Sequence, residues 1–176
     1  MARVSRQSAS PLDRSGLERL ALRYVERFAT TRGRLTDYLE RKIRARGWTG
    51  EPAEPGEIAE RMAALGYIDD RAWGEAKAGA MARRGLGARR VSGALRQAGL
   101  DEEDTDAIAP AIADRSLDAA ITFARRRRIG PFADAPGDRP TREKHIAAML
   151  RAGHPVALAR ALAAMDPGED PAELDR

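Results

Sequence analysis

The chain has 176 residues, enough for one or two ordinary domains, and is 43% hydrophobic but only 5% aromatic, so its core must rest mainly on Ala, Leu, Ile and Met. It has no cysteine, which excludes disulfides and thiolate metal ligands, and no apolar stretch approaches the roughly 18 residues of a membrane helix. Charge is uneven: residues 1–50 carry a net +7, residues 51–100 a net +1, and 101–150 and 151–176 a net −2 each.

The periodicity is helical almost throughout. Leu17, Leu20, Ala21, Tyr24, Val25 and Phe28 form one apolar stripe, and Ser15 with Glu18 predicts a capping box at its start. Leu35, Leu39 and Ile43 predict a second helix, stopped by Gly47. Ile58, Met62 and Leu65 predict a third, opened near Pro55 and stopped by Gly66. Asp69 and Asp70 lead into a fourth, with Trp73, Ala76 and Ala80 inside. Val91, Leu95 and Ala98 predict a fifth, ended by Gly99. Asp101 caps a sixth, whose acidic first turn (Glu102, Glu103, Asp104) suits the positive end of the helix dipole; Ile108 and Ile112 are its inner positions. The Pro-, Asp- and Gly-rich stretch Pro131–Thr141 reads as a loop between helices seven and eight. A ninth helix starts at His154-Pro155 and carries Val156, Ala159 and Leu162.

Glycine spacing implies an internal repeat. Gly33 and Gly47 stand 14 residues apart, as do Gly85 and Gly99, and the two pairs are offset by 52 residues. A stretched third copy runs from Gly130 to Gly153, 23 residues later. The expected fold is therefore all-α: an elongated, curved solenoid of three tandem three-helix repeats, 13–67, 68–113 and 114–165, the last with an insertion near 131–141. A flexible N-terminus, 1–12, precedes them and a disordered acidic tail, 166–176, follows. Such a solenoid offers a long surface for an extended partner rather than a pocket for a small ligand.

Catalytic constellations are not assembled in the sequence. Asp69-Asp70 could form a carboxylate pair or metal site, but adjacent acids at a helix start point in different directions and cap amides, and no third ligand stands near. His145 and His154 read as a helix-surface residue and an N-cap. The serines lack a nucleophile-elbow context, and Gly85-Leu-Gly87 follows a helix where a phosphate loop follows a strand. No catalytic residue, metal or cofactor is expected. The stronger signal is arginine, 28 of the 31 cations, whose planar fork suits phosphate and carboxylate. Arg83, Arg84, Arg89 and Arg90, and then Arg125, Arg126, Arg127 and Arg128, fall at equivalent places in repeats two and three and predict one basic partner-binding strip. Arg41, Lys42, Arg44 and Arg46 read equally well as a solvated face.

Leu65-Gly-Tyr-Ile-Asp-Asp70, followed by a helix, resembles the signature of the RecX family, with Gly66, Tyr67, Asp69 and Asp70 as its structural core. Arg84-Gly85, Arg89-Arg90-Val91, Leu95 and Gly99-Leu100 resemble the family's next phrase, while Trp73-Gly74 departs from it. The resemblance implies a protein that binds the RecA nucleoprotein filament and limits its growth and its recombinase and ATPase activity, in DNA repair and the SOS response. It implies no cofactor, and DNA phosphates within reach of the strip. With no membrane helix and no signal peptide in Met1–Pro11, a cytoplasmic monomer is expected. The alternative is a stand-alone helical DNA-binding module acting through basic patches, although no recognition-helix motif is present and aromatics to stack on bases are few.

Overall fold

Helix formation follows the apolar stripes closely where these are built from large side chains. The computed structural model describes residues 10–175. The expected flexible N-terminus lies largely on residues 1–9, outside the described residues. Among the described residues there are nine α-helices and no strand, only an isolated bridge between Leu12 and Trp48. They are α1 (Arg14–Val25), α2 (Arg32–Arg46), α3 (Pro55–Ala64), α4 (Asp70–Arg83), α5 (Ala88–Gln97), α6 (Glu102–Asp114), α7 (Ser116–Arg127), α8 (Arg139–Arg151) and α9 (Val156–Ala164).

The first helix begins earlier than its capping box predicts. Leu12 is buried and pinned in extended backbone, donating to the Gly47 carbonyl and accepting from Thr49 N–H, each at 2.9 Å. The helix therefore starts directly after it. Asp13 is the N-cap, accepting from Gly16 N–H at 2.7 Å, and Ser15 is the second helical residue, accepting from Arg19 Nη1. The helix also stops early, at Val25, because the chain must turn to place Thr31 as the N-cap of α2. Phe28, expected on the inner stripe, is 54% exposed as a result.

The chain forms two compact units. One comprises residues 10–73 with 98–100; the other comprises 74–97 with 101–175. The first is built on Leu12, Leu17, Leu35, Leu39, Ile58 and Met62. The second is built around Ala120, Ala124, Ile129, Met149, Ala159 and Leu162. Each fully buried Leu or Ile contributes about 1.5–3 kcal/mol relative to exposure, so three large side chains on adjacent helices suffice to fix a helix in place. Leu65 and Val156, expected inside, are exposed. Leu65 is the C-cap of α3, and Val156 is the first residue of α9, where the side chain precedes the packed turn. In α4 the buried hydrophobic side chains are Ala78 and Met81 rather than Ala76 and Ala80. The segment after Met165, expected as a disordered tail, carries a 3-10 helix at Pro171–Asp175, and Gly168 N–H donates to the Pro131 carbonyl at 3.0 Å.

Each unit contains one joint at which a helix start meets the backbone that follows another helix. In the first, a Cβ on Gly33 would lie 2.6 Å from Gly99 Cα, and Thr31 Oγ1 donates to the Ala98 carbonyl. In the second, a Cβ on Gly87 would overlap the Gly153 carbonyl carbon; Gly87 N–H donates to Ala152 at 2.9 Å and Arg89 N–H to Gly153 at 3.1 Å. The joints recur at 54 residues, pairing Gly33 with Gly87. The spacing of 52 expected from the sequence pairs Gly33 with Gly85, but Gly85 is taken by the closing turn of α4, where it donates to Ala82 at 2.8 Å.

Candidate partner-binding surface

The signature turn is a structural device that serves two helices. Gly66, at φ +81°, donates to Ala63, and Tyr67 N–H donates to Met62 at 3.0 Å, so α3 closes in a left-handed turn that satisfies its last carbonyls. Tyr67 stands half exposed beside it. Asp69 Oδ1 caps α4 by accepting from Ala72 N–H at 2.8 Å. Asp70 faces elsewhere. It is 6% exposed and accepts from Arg32 N–H at 3.0 Å and Arg32 Nε at 2.9 Å, capping the first turn of α2 rather than its own helix. That hydrogen bond, reinforced by the Asp70 charge and by Glu60 at 3.3 Å, raises the Arg32 guanidinium further above its already high range against the cost of burial. Both acids are thus occupied, Asp69 by an amide and Asp70 by an amide and a cation.

His154 is not an N-cap. Pro155 holds that position, and His154 is 3% exposed, its ring 5.4 Å from Phe123. Its Nε2 lies 3.1 Å from the Gly85 carbonyl oxygen, so this nitrogen carries the proton and donates. Burial pushes the imidazole below its ordinary range, opposed by that bond. His145 lies half buried on α8.

All eight strip arginines are exposed. The structure brings part of them together: Arg126 Nη1 donates to the Arg84 carbonyl at 2.9 Å, so the run that ends α7 adjoins the end of α4. Arg125 and Arg127 lie over the Phe132 and Phe123 rings at 5.0 and 5.9 Å, and Arg128, in left-handed backbone at φ +53°, pairs with Asp134 at 2.9 Å. Arg89 and Arg90 turn to a different task. They donate to the Leu150 and Arg151 carbonyls at 2.7 and 3.0 Å, capping the C-terminus of α8 with charge of the sign its dipole favours. Arg83 and Arg84 make no ion pair among the described residues.

Lys42, from the basic group that read equally well as a partner contact or a solvated face, has aromatic company. Tyr24 of α1 stacks on Tyr38 of α2 with ring centroids 4.3 Å apart, and Phe28 lies 5.2 Å from Tyr24. Lys42 Nζ is 5.3 Å from the Tyr38 centroid and Arg27 is 5.9 Å from that of Phe28. The signal available in the sequence was Tyr24 and Phe28 at one helical turn, flanked by Arg23 and Arg27. Tyr38 joins them only on folding. No group of three His, Cys, Asp or Glu is placed to hold a metal among the described residues, and no helix there is long and apolar enough to cross a membrane.

No family model matches the chain. It is 32% identical over 157 residues to the regulatory protein RecX of Myxococcus xanthus, with 82% of each chain covered. Among solved structures it is similar to RecX from Lactobacillus salivarius, with a TM-score of 0.64, 19% identity, and coverage of 84% of this chain and 92% of that one. A second solved regulatory protein RecX matches with a TM-score of 0.59 and 20% identity, over 85% of this chain and 72% of that one. The signature turn, the all-helical fold and the identity to a regulatory protein over most of both chains lead to one conclusion: the chain belongs to the RecX family of regulatory proteins.

Proposed function

We propose that this chain binds RecA nucleoprotein filaments and limits their growth and their recombinase and ATPase activity, in DNA repair and the SOS response, as a cytoplasmic monomer without a cofactor. The observation that carries the reading is the 32% identity to a regulatory protein RecX over 82% of both chains. The proposed framework is three tandem three-helix repeats, supported by a joint that recurs at 54 residues. The proposed contact is the arginine group around the ends of α4 and α7. Its support is exposure and the bond from the Arg126 guanidinium to the Arg84 carbonyl, which brings the end of α7 to the end of α4. Fixed cations of this kind attract an acidic protein surface or phosphates and set orientation more than raw affinity.

Inhibition of the DNA-dependent ATPase of RecA tests this. The variant Arg83→Glu/Arg84→Glu/Arg125→Glu/Arg127→Glu reverses cations whose guanidinium groups hold no carbonyl or carboxylate in the fold. Inhibition is expected to weaken while far-UV signal and melting temperature stay near wild type, and the difference should shrink as salt rises. Wild-type inhibition at both low and moderate salt would make the strip a solvated face.

A further inference from the structure

The aromatic and basic seam between α1 and α2 has the composition of a nucleic-acid surface rather than of a solvated helix face. Arg19 and Arg23 stand four residues apart on one face of α1, and Arg27 follows in the turn just past its end. Arg23 and Arg46 line the same cleft, of about 340 Å³, at one end of the seam. Further along, Tyr24 and Tyr38 stack across the two helices with Lys42 beside them, and Phe28 closes the far end, its ring open to solvent. Three of the eight aromatic residues of the whole chain are gathered here.

Cations outnumber acids along α1 and α2, with Glu26 and Asp37 the acids nearest the rings in sequence. Among the described residues Arg23, Arg27 and Lys42 make no ion pair, while Glu18 and Glu40 are taken up by Arg14, Arg61 and Arg44. Asp37, next to Tyr38 in sequence, is turned about 100° from it around the helix. A solvated basic face needs no aromatics, and a core rim needs no row of cations. The two together match what a single strand presents, phosphates for the cations and base faces for the rings.

We propose that this seam binds single-stranded nucleic acid, with Phe28 as the stacking platform and Arg23, Arg27 and Lys42 as phosphate contacts. This goes beyond the filament reading, since it concerns the first unit alone and its binding measurement is made without RecA. Fluorescence anisotropy of a labelled oligothymidylate is titrated with the full chain over a range of salt. Phe28 lies outside the packed core, so Phe28→Ala should fold as wild type yet bind about tenfold more weakly, as loss of one base–aromatic stack implies. Arg27→Gln/Lys42→Gln should flatten the salt dependence by about 0.7 per cation removed. Wild type should prefer the oligothymidylate over an abasic strand of equal length, and Phe28→Ala should lose that preference. The proposal falls if wild type binds both strands equally, or if Arg27→Gln/Lys42→Gln leaves the salt slope unchanged. It falls equally if Phe28→Ala loses RecA inhibition while binding the oligonucleotide as wild type does, since the surface would then belong to a protein partner.

Discussion

Both units set cations beside aromatic rings, but they differ in which of their arginines the fold spends on helix ends. In the second, Arg89, Arg90 and Arg126 are spent on the carbonyl ends of α8 and α4, and Arg128 on Asp134. In the first, Arg27 and Lys42 stand beside aromatic rings with no ion pair among the described residues. An arginine run in sequence is therefore not a measure of available charge. A guanidinium that already caps a helix has its geometry fixed and part of its hydrogen-bonding capacity filled, and its loss is felt by the fold before it is felt by a partner.

The sharpest test of the second unit is its joint. Gly87→Ala forces a methyl group into the Gly153 backbone, which cannot yield as a side-chain end can, and should cost about 3 kcal/mol in chemical denaturation. Gly93→Ala in the same α5, where a Cβ meets nothing within 4 Å, should stabilise by about 0.5–1 kcal/mol. Equal effects at the two positions would mean that the joint opens freely.

A smaller difference is expected within the signature turn. Asp70→Ala removes the partner of Arg32 and the cap of α2 from a buried site, and should cost about 2 kcal/mol, whereas Asp69→Ala loses a single exposed cap, about 1 kcal/mol. Melting temperatures that fall equally for the two would show that the Asp70–Arg32 pair adds nothing beyond capping.

The smallest effect separates the two kinds of arginine. Arg89→Gln/Arg90→Gln should lower stability by about 1 kcal/mol through the loss of two carbonyl contacts at the end of α8, while Arg23→Gln/Lys42→Gln should leave it unchanged. A thermal shift for the second pair and none for the first would reverse the comparison.

Helices carried by Leu, Ile or Val pairs were legible in the sequence: Leu35 with Leu39, Val91 with Leu95, and Ile108 with Ile112 are all buried. The phase of α4 was not, since Ala72, Ala76, Ala78, Ala80 and Ala82 place small apolar groups all round the helix and mark no single face. His154 was misread because its partner, the Gly85 carbonyl, is 69 residues away. Asp70 was read as capping an amide, but which one was not legible, since it lies at Arg32, 38 residues away. The two joints lie at the limit of what spacing can tell. Several glycines fit a repeat of about fifty residues, and only close backbone approach distinguishes the ones that need to be glycine.

One consequence of the second joint concerns anions. The loop Gly85-Leu-Gly87, leading into the start of α5, has the small residues and the helix terminus from which a phosphate cradle can be made. That position is already filled by carbonyl oxygens. Ala152 and Gly153 occupy the amides of Gly87 and Arg89, so the negative end of the α8 dipole rests on the positive end of that of α5. The two macrodipoles cancel where they meet, and the field that would draw a phosphate to the start of α5 is quenched from within the chain.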